Sequence, residues 1–118
     1  MAERQRPVLV VEDDDGLRTY LTTTLEEYGY RVIAAASGEE ALAALGEEAP
    51  LLAVLDVGLP GMDGFAVAEQ LAPDVPVIVV TGDPLRAKMR AFGRATRLTI
   101  LAKPITAEQF TQAVRAAL

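Results

Sequence analysis

The chain has 118 residues, of which 51% are hydrophobic, 17 are acidic and 11 are Lys or Arg, giving a formal net charge of −6. This length predicts one domain over residues 1–118 with a sizeable core, and the negative charge argues against nucleic acid as the main partner. The chain contains no Cys and no His, which excludes disulfides, thiolate metal sites and any chemistry that needs a cysteine or histidine side chain.

Five apolar runs predict five β-strands, because each run is short and is bounded by turn-forming or charged residues. In chain order the predicted strands are Val8–Val11, Tyr30–Ala35, Leu51–Asp56, Val75–Thr81 and Leu98–Ala102. The third and fourth runs are apolar almost to their last residue. Continuous apolar runs of this kind are typical of strands that helices cover on both faces.

Five segments with helical spacing alternate with these strands. The first carries Leu17, Leu21 and Leu25 and ends at Gly29; the others run from Ser37 to about Gly46, over Phe65–Leu71, from Pro84 to about Gly93, and onward from the Thr106 and Gln109 capping box. From the last two helices we expect these residues to face the core: Leu85, Met89, Phe92, Phe110, Val114 and Leu118. The alternation predicts an α/β fold with a parallel sheet between two helical layers.

Polar residues close or directly follow four of the predicted apolar strands. The polar residues are Glu12 and Asp13, Asp56, Thr81 and Lys103. In a flavodoxin-like strand order of 2-1-3-4-5, the first and third strands are neighbours, so the three acids would converge at one crevice. Carboxylates about 4 Å apart repel by roughly 4 kcal/mol at an effective dielectric near 20, and one lysine cannot balance three of them. A hard divalent cation can, and this donor set favours Mg²⁺ over Ca²⁺.

The same residues could handle a phosphoryl group. Asp56 has the chemistry of a carboxylate nucleophile that forms an aspartyl phosphate. The cation and Lys103 would neutralise charge on the phosphoryl oxygens, and the Thr81 hydroxyl would donate a hydrogen bond to one of them. Phosphoryl transfer depends mainly on positioning and electrostatics, so this small set of groups is sufficient.

Four blocks of sequence resemble the receiver domain of two-component response regulators. They are Val11–Asp14, Leu55–Gly64, Val80–Gly82 and Lys103–Pro104. The match covers nearly the whole chain in order, with 25 residues from Asp56 to Thr81 and 22 from Thr81 to Lys103. The resemblance implies a flavodoxin-like (βα)5 three-layer sandwich with a five-stranded parallel sheet of order 2-1-3-4-5.

The resemblance also implies a function in a two-component phosphorelay. Asp56 would accept a phosphoryl group from a sensor histidine kinase or a histidine phosphotransfer protein. Mg²⁺, with Mn²⁺ as an alternative, would be held by Asp13, Asp56 and the Gly58 carbonyl, with Glu12 acting through water. Lys103 would bind the phosphoryl group, and Thr81 would move toward it as the switch. Such a chain is a signalling phosphoprotein, not an enzyme, and catalyses only its own phosphorylation and dephosphorylation.

Three positions depart from the family pattern. Ile100 stands where receivers usually carry Tyr or Phe, so the usual aromatic readout of the switch is in doubt. Gly82 replaces a small Ala after the Thr, and Gly58 offers no side chain to shield an acyl phosphate. In the family, the Gly58 and Asp83 positions tune phosphate lifetime, so we expect a water-accessible phosphoryl group.

A basic segment lies on the fourth predicted helix and beyond it. Five of the eleven basic residues fall within twelve positions, and they are Arg86, Lys88, Arg90, Arg94 and Arg97. One interpretation is a solvated helix face that balances charge. The other is a docking surface for an acidic downstream protein. A homodimer is a further option that the sequence leaves open.

Two other functions compete with the phosphoacceptor. One is a degenerate receiver that acts as an unphosphorylated interaction module, which the Ile100 substitution keeps open. The other is a phosphatase or phosphotransferase, but such enzymes usually place an Asp two residues after the nucleophile, where this chain has Gly58. With no apolar run of membrane-spanning length and no signal-peptide pattern, we expect a cytoplasmic protein, either a stand-alone regulator or a receiver cut from a larger one.

Overall fold

The computed structural model describes residues 5–59, 61–91 and 97–118. The strands are β1 (Val8–Val11), β2 (Val32–Ala35), β3 (Leu52–Leu55), β4 (Val77–Thr81) and β5 (Leu98–Ala102). The helices are α1 (Asp15–Glu27), α2 (Gly38–Leu45), α3 (Gly64–Glu69), α4 (Pro84–Ala91) and α5 (Ala107–Ala117). All four strand pairings are parallel, and the sheet has the order β2-β1-β3-β4-β5, which confirms the predicted fold class and strand order.

Successive residues of each strand face opposite sides of the sheet, so the apolar runs supply two cores. Leu9, Val11 and Leu55 belong to the core under α2, α3 and α4, whereas Val10 and Val54 belong to the core under α1 and α5. All four residues of β1 and all four of β3 are buried. This double coverage explains why these strands lack the alternation of a half-exposed strand.

The pairing register brings the strand ends level with one another. Val11, the last residue of β1, pairs with Leu55, the last residue of β3. Thr81 pairs with Ala102 across β4 and β5. The residues that follow or close these strands therefore stand at the same edge of the sheet, and this edge holds the polar groups predicted from the sequence.

Three strands are shorter than predicted at their beginnings. β3 starts at Leu52, one residue after the predicted Leu51, and ends at Leu55, one residue before the predicted Asp56. β2 starts at Val32, and the predicted first residue, Tyr30, lies outside it. β4 starts at Val77 because Pro76 has no N–H to donate to the sheet, although its carbonyl accepts from Ala53 N–H at 3.0 Å.

The orientation predicted for α4 is wrong. Leu85 and Met89 are 69% and 72% exposed, whereas Ala87 is fully buried and faces the sheet. Leu85 and Met89 each lie two positions from Ala87, or about 200° around the helix, and therefore on nearly the opposite side. Phe92 and the predicted end at Gly93 lie outside the described residues.

The inward face of α5 was predicted correctly except at its end. Phe110 and Val114 are buried, and the Thr106 and Gln109 capping box is formed in both directions. Leu118 follows the helix and is 47% exposed, because it lies beyond the last turn that packs on the sheet. No helix in the described part of the chain combines the length and apolar character needed to cross a bilayer.

Candidate functional site

Three acids converge at the carboxyl edge of the sheet. Glu12, Asp13 and Asp56 each offer a carboxylate oxygen, and these oxygens lie within 4.8 Å of one another. Glu12 and Asp56 are 1% and 7% exposed, while Asp13 is exposed to solvent. The convergence follows from the fold, because β1 and β3 are adjacent and end at the same level.

Lys103 joins two of these acids. Its Nζ donates a hydrogen bond to Asp56 Oδ2 at 2.9 Å and lies 2.9 Å from Glu12 Oε1. The backbone N–H of Lys103 donates to the Thr81 carbonyl at 2.8 Å, which fixes the start of the Lys103 side chain beside β4. The Lys103–Pro104 peptide bond is cis.

Glu12 is the most heavily desolvated acid of the site. Its Oε2 accepts from Asp14 N–H at 3.2 Å, but its buried Oε1 has no aligned hydrogen-bond donor despite the nearby lysine. Burial raises the pKa of Glu12 to about 7, and the charge of Asp56 acts in the same direction. The contacts with Lys103 and with Asp14 N–H only partly offset this effect.

The pKa of Lys103 moves in the direction that keeps the ammonium charged. Burial by itself lowers this pKa, but the contacts with Asp56 and Glu12 outweigh burial and raise the pKa above its ordinary value. Lys103 is therefore a cation at neutral pH. One positive charge faces two buried carboxylates and an exposed third one, so the site has a net negative charge.

Both carboxylate oxygens of Asp56 are engaged. Oδ2 accepts from Lys103, and Oδ1 accepts from Gly58 N–H at 3.0 Å. The backbone of Asp56 is also tightly confined, since a Cβ on Gly64 would lie 2.3 Å from the Asp56 carbonyl oxygen. Only glycine permits this close approach of α3 to the end of β3. A Cβ on Gly58, in contrast, would lie at an ordinary 3.7 Å from Asp56 Oδ1.

Thr81 ends β4 and is 3% exposed. Its Oγ1 accepts a hydrogen bond from Asp83 N–H at 3.0 Å, and Asp83 Oδ1 in turn accepts from Arg86 N–H at 3.2 Å in the first turn of α4. Ile100 is partly buried and packs against the core under α2, α3 and α4. The predicted switch residue is thus connected to the start of α4 by two hydrogen bonds.

Sequence reasoning missed Arg18. Its Nη1 donates to the Glu12 carbonyl at 2.9 Å, and its Nη2 pairs with Asp15 at 2.6 Å. The guanidinium therefore fixes the peptide that joins Glu12 to Asp13. The signal in the sequence is weak: a basic residue one turn after the Asp14 N-cap suggests a local ion pair and says nothing about a backbone carbonyl at the site.

The donor set fits a hard divalent cation. The acids supply carboxylate oxygens close together, and the buried Glu12 Oε1 has no aligned donor among the described residues. Asp13 opens the set to solvent, which suits Mg²⁺ because this ion keeps several of its waters. The roles of the Gly58 carbonyl as a metal ligand and of Glu12 as a ligand through water stay predictions.

Comparison with known proteins agrees with the fold. A family model described as the response regulator receiver domain matches residues 8–115. The chain is 47% identical over 76 residues to the transcriptional regulatory protein AfsQ1 of Streptomyces coelicolor, an alignment that covers 63% of this chain and 34% of that protein. It is 36% identical over 121 residues to the alkaline phosphatase synthesis transcriptional regulatory protein PhoP of Bacillus subtilis, covering 96% and 48%.

A solved structure supports the same relationship. The chain superimposes on the non-phosphorylated HemR receiver domain of Leptospira biflexa with a TM-score of 0.84 and 30% identity, covering 96% of this chain and 94% of that one. The curated relatives are longer, since the alignments cover only 34% of AfsQ1 and 48% of PhoP.

The raised pKa of Glu12 predicts a pH dependence of stability in metal-free protein. The folded pKa of about 7 lies above the ordinary value of 4.5, so the folded state binds this proton more tightly than the unfolded state. The stabilisation is complete below pH 4.5 and is lost as the pH rises through 7. Between pH 5 and 8, we expect the free energy of unfolding of the natural chain to fall by about 1–2 kcal/mol relative to Glu12→Gln.

The measurement is urea denaturation in the presence of a chelator, for both proteins, across this pH range. Glu12→Gln is a suitable reference because it keeps the size of the side chain and leaves the Asp56–Lys103 pair in place. Parallel profiles for the two proteins would contradict the assignment of the titration to Glu12.

Proposed function

This chain belongs to the response regulator receiver domain family, and on that premise we propose that it accepts a phosphoryl group on Asp56 in a Mg²⁺-dependent reaction. The observation that carries the proposal is the position of the Lys103 ammonium, 2.9 Å from both Asp56 Oδ2 and Glu12 Oε1. It supplies a cation beside the proposed nucleophile, at the edge where three acids converge.

The proposed transfer uses the groups of the site in definite roles. A carboxylate oxygen of Asp56 attacks the phosphorus of a phosphohistidine, the P–O bond forms, and the P–N bond breaks as the imidazole leaves. Lys103 then exchanges part of its contact with Asp56 for the phosphoryl oxygens, which carry more negative charge. Catalysis of this kind needs positioning and charge neutralisation, and both are available from neighbouring residues.

We propose that Asp13, Asp56 and the Gly58 carbonyl hold Mg²⁺ or Mn²⁺, with Glu12 acting through water. The ion would supply positive charge against the phosphoryl oxygens. The charge of the site supports this proposal, because one lysine faces three carboxylates. An ion would also favour the ionised form of Glu12, because it would oppose the burial that raises the pKa of this side chain to about 7.

Thr81 is our candidate for the switch. Its hydroxyl accepts a hydrogen bond from Asp83 N–H, and a hydroxyl can still donate its own proton to a phosphoryl oxygen. Asp83 caps the start of α4, so a shift of Thr81 toward Asp56 would pull on that helix. With Ile100 at the position of the usual aromatic ring, we propose that this chain transmits its signal mainly through α4.

Receiver domains pair with histidine kinases or histidine phosphotransfer proteins, and we propose a partner of this kind for the chain. We further propose a cytoplasmic location, where such partners present their phosphohistidine. We propose that residues 1–118 form a single receiver domain, and the family match over residues 8–115 supports this. AfsQ1 and PhoP are transcriptional regulators longer than this chain. Formation of a homodimer is one way in which the chain could pass on its signal.

The exposed side of α4 is our candidate surface for the downstream partner. Leu85 and Met89 expose 69% and 72% of their area one turn apart, and Arg86 and Lys88 beside them are also exposed. Apolar anchors between basic residues fit an acidic amphipathic segment better than a second copy of the same basic helix. The side chain of Arg90 and all of Arg94, which the sequence placed in this basic segment, lie outside the described residues.

The competing functions have less support. A signalling family with no catalytic enzyme activity of its own matches residues 8–115, which argues against turnover of an external phosphate ester. A degenerate receiver would have no need to keep a buried Glu12, Asp56 and Thr81 together with a paired Lys103. These four residues favour a working phosphoacceptor.

The first prediction from this proposal concerns a covalent adduct. With Mg²⁺ and a small-molecule phosphodonor, we expect one phosphate per chain in the intact mass, and none for Asp56→Asn or when a chelator replaces Mg²⁺. Glu69→Gln, on an exposed position of α3, is the matched control and should behave as the natural chain does. No adduct with any donor would support the interaction module, and multiple turnover of a phosphate ester would support the enzyme.

Gly58 generates a second prediction. A side chain at this position has room at 3.7 Å from Asp56 Oδ1, where it would screen the acyl phosphate from water. We therefore expect Gly58→Asn to slow dephosphorylation by about three- to tenfold, because it excludes the attacking water. The rate of phosphate loss is measured after removal of the donor. An equal rate in both proteins would remove Gly58 as a determinant of phosphate lifetime.

The α4 surface generates a third prediction. In cells whose output depends on this chain, Leu85→Ser combined with Arg86→Glu is expected to reduce output about tenfold or more, since both an anchor and a charge are lost. Phosphorylation of Asp56 should stay normal in the purified variant. Arg115→Glu, an exposed reversal on α5, serves as the charge control. Normal output from the α4 variant would place the partner elsewhere.

A further inference from the structure

The loop between β3 and α3 receives a hydrogen bond from another helix. Glu39 lies in the first turn of α2, and its Oε1 accepts from Met62 N–H at 3.0 Å. The two residues are 23 positions apart, so the bond ties α2 to the loop that follows the proposed phosphoacceptor. The sequence motifs do not assign Glu39 a role in the site.

Other described residues of this loop are held near its two ends. Near β3, Gly58 N–H donates to Asp56 Oδ1 and Leu59 is buried at 6% exposure. Near α3, Asp63 caps the helix by accepting from Ala66 N–H at 2.9 Å. Met62 lies between these anchors. Its N–H donates to Glu39, a residue of α2 that lies outside the loop.

The backbone next to Met62 is shaped to receive the Glu39 carboxylate. Gly61 has a φ of +71°, a conformation that side chains disfavour. A Cβ on Gly61 would also lie 3.1 Å from Glu39 Oε1, closer than an ordinary contact. The carboxylate therefore occupies the space that a side chain at position 61 would need.

We propose that Glu39 is a positioning residue for the phosphorylation site. By holding Met62 N–H, it keeps the β3–α3 loop in the conformation in which Gly58 stays against Asp56. The inference rests on the proposed function, because it matters for activity only if the Gly58 carbonyl helps to hold the divalent cation. Without Glu39, Met62 N–H bonds to water, and the binding conformation of the loop is populated for less of the time.

The effect of losing the Glu39 charge can be separated from the effect of losing its hydrogen bond by comparing variants of Glu39 and Glu40. Glu39 and Glu40 both lie in the first turn of α2, both are exposed, and both carry a carboxylate. The Glu40 carboxylate makes no hydrogen bond with the described part of the chain, so Glu40→Ala removes the charge alone. Glu39→Gln removes the charge of Glu39 but keeps an oxygen that can accept from Met62 N–H.

The experiment measures the Mg²⁺ dissociation constant by calorimetry for the natural chain and for Glu39→Ala, Glu39→Gln and Glu40→Ala. We expect Glu39→Ala to weaken Mg²⁺ binding by about three- to tenfold, the size expected for one lost hydrogen bond. Glu39→Gln and Glu40→Ala should stay within about twofold of the natural chain. In metal-free protein, amide hydrogen exchange at Met62 should be faster in Glu39→Ala only.

Two results would overturn the inference. One is an unchanged dissociation constant in Glu39→Ala, and the other is equal weakening in all three variants, which would assign the effect to charge. If the natural chain binds no Mg²⁺ and forms no Asp56 adduct, the proposed function itself fails. The Met62 exchange data do not depend on Mg²⁺, so they distinguish a failure of the proposed function from a failure of the inference about Glu39.

Discussion

The contact on which the site depends is the Lys103 ammonium placed between Glu12 and Asp56. Two carboxylates buried at 1% and 7% exposure would repel each other strongly without it, and even with it the charge of the edge stays negative. The fold therefore holds a partly compensated cluster, with one oxygen of Glu12 left without an aligned donor. Such an arrangement costs stability in the isolated chain, and a bound cation would offset the excess negative charge.

The pairing of the strands brings the residues of this cluster together. β1 and β3 pair so that Val11 and Leu55 are level, and β4 and β5 pair so that Thr81 and Ala102 are level. Each residue that follows a strand end is then held at one edge, while two apolar cores fix the strands from both faces. The close approach at Gly64 adds a second constraint, because α3 presses on the Asp56 carbonyl and leaves the acid little freedom.

These features also explain how much could be predicted. The strands and the polar residues at their ends follow from apolar runs that stop at polar residues, a pattern that is local in sequence. The strand order, which brings Glu12, Asp13 and Asp56 together, was implied by the resemblance to receiver domains. The orientation of α4 could not be predicted in the same way. Its inward residue is the small Ala87, and the larger Leu85 and Met89 face solvent. Arg18, Asp83 and Glu39 act through backbone groups, and a backbone N–H or carbonyl carries no signal in the sequence.

The proposed phosphoacceptor, Asp56, is therefore rigid, whereas the proposed output through Thr81 is less constrained. Asp56 is held by Lys103, by Gly58 N–H and by the approach of Gly64, so the chemistry has little room to vary. Thr81 is held differently: its hydroxyl bonds to Asp83 N–H, next to Gly82, where a Cβ would meet no atom within 4 Å. A switch needs two arrangements of similar free energy, and an open β4–α4 connection permits them more readily than the packed end of β3. We therefore expect the Ile100 substitution to matter less than it would in a receiver whose signal depends on an aromatic ring, because the proposed route from Thr81 through Asp83 to α4 does not pass through β5.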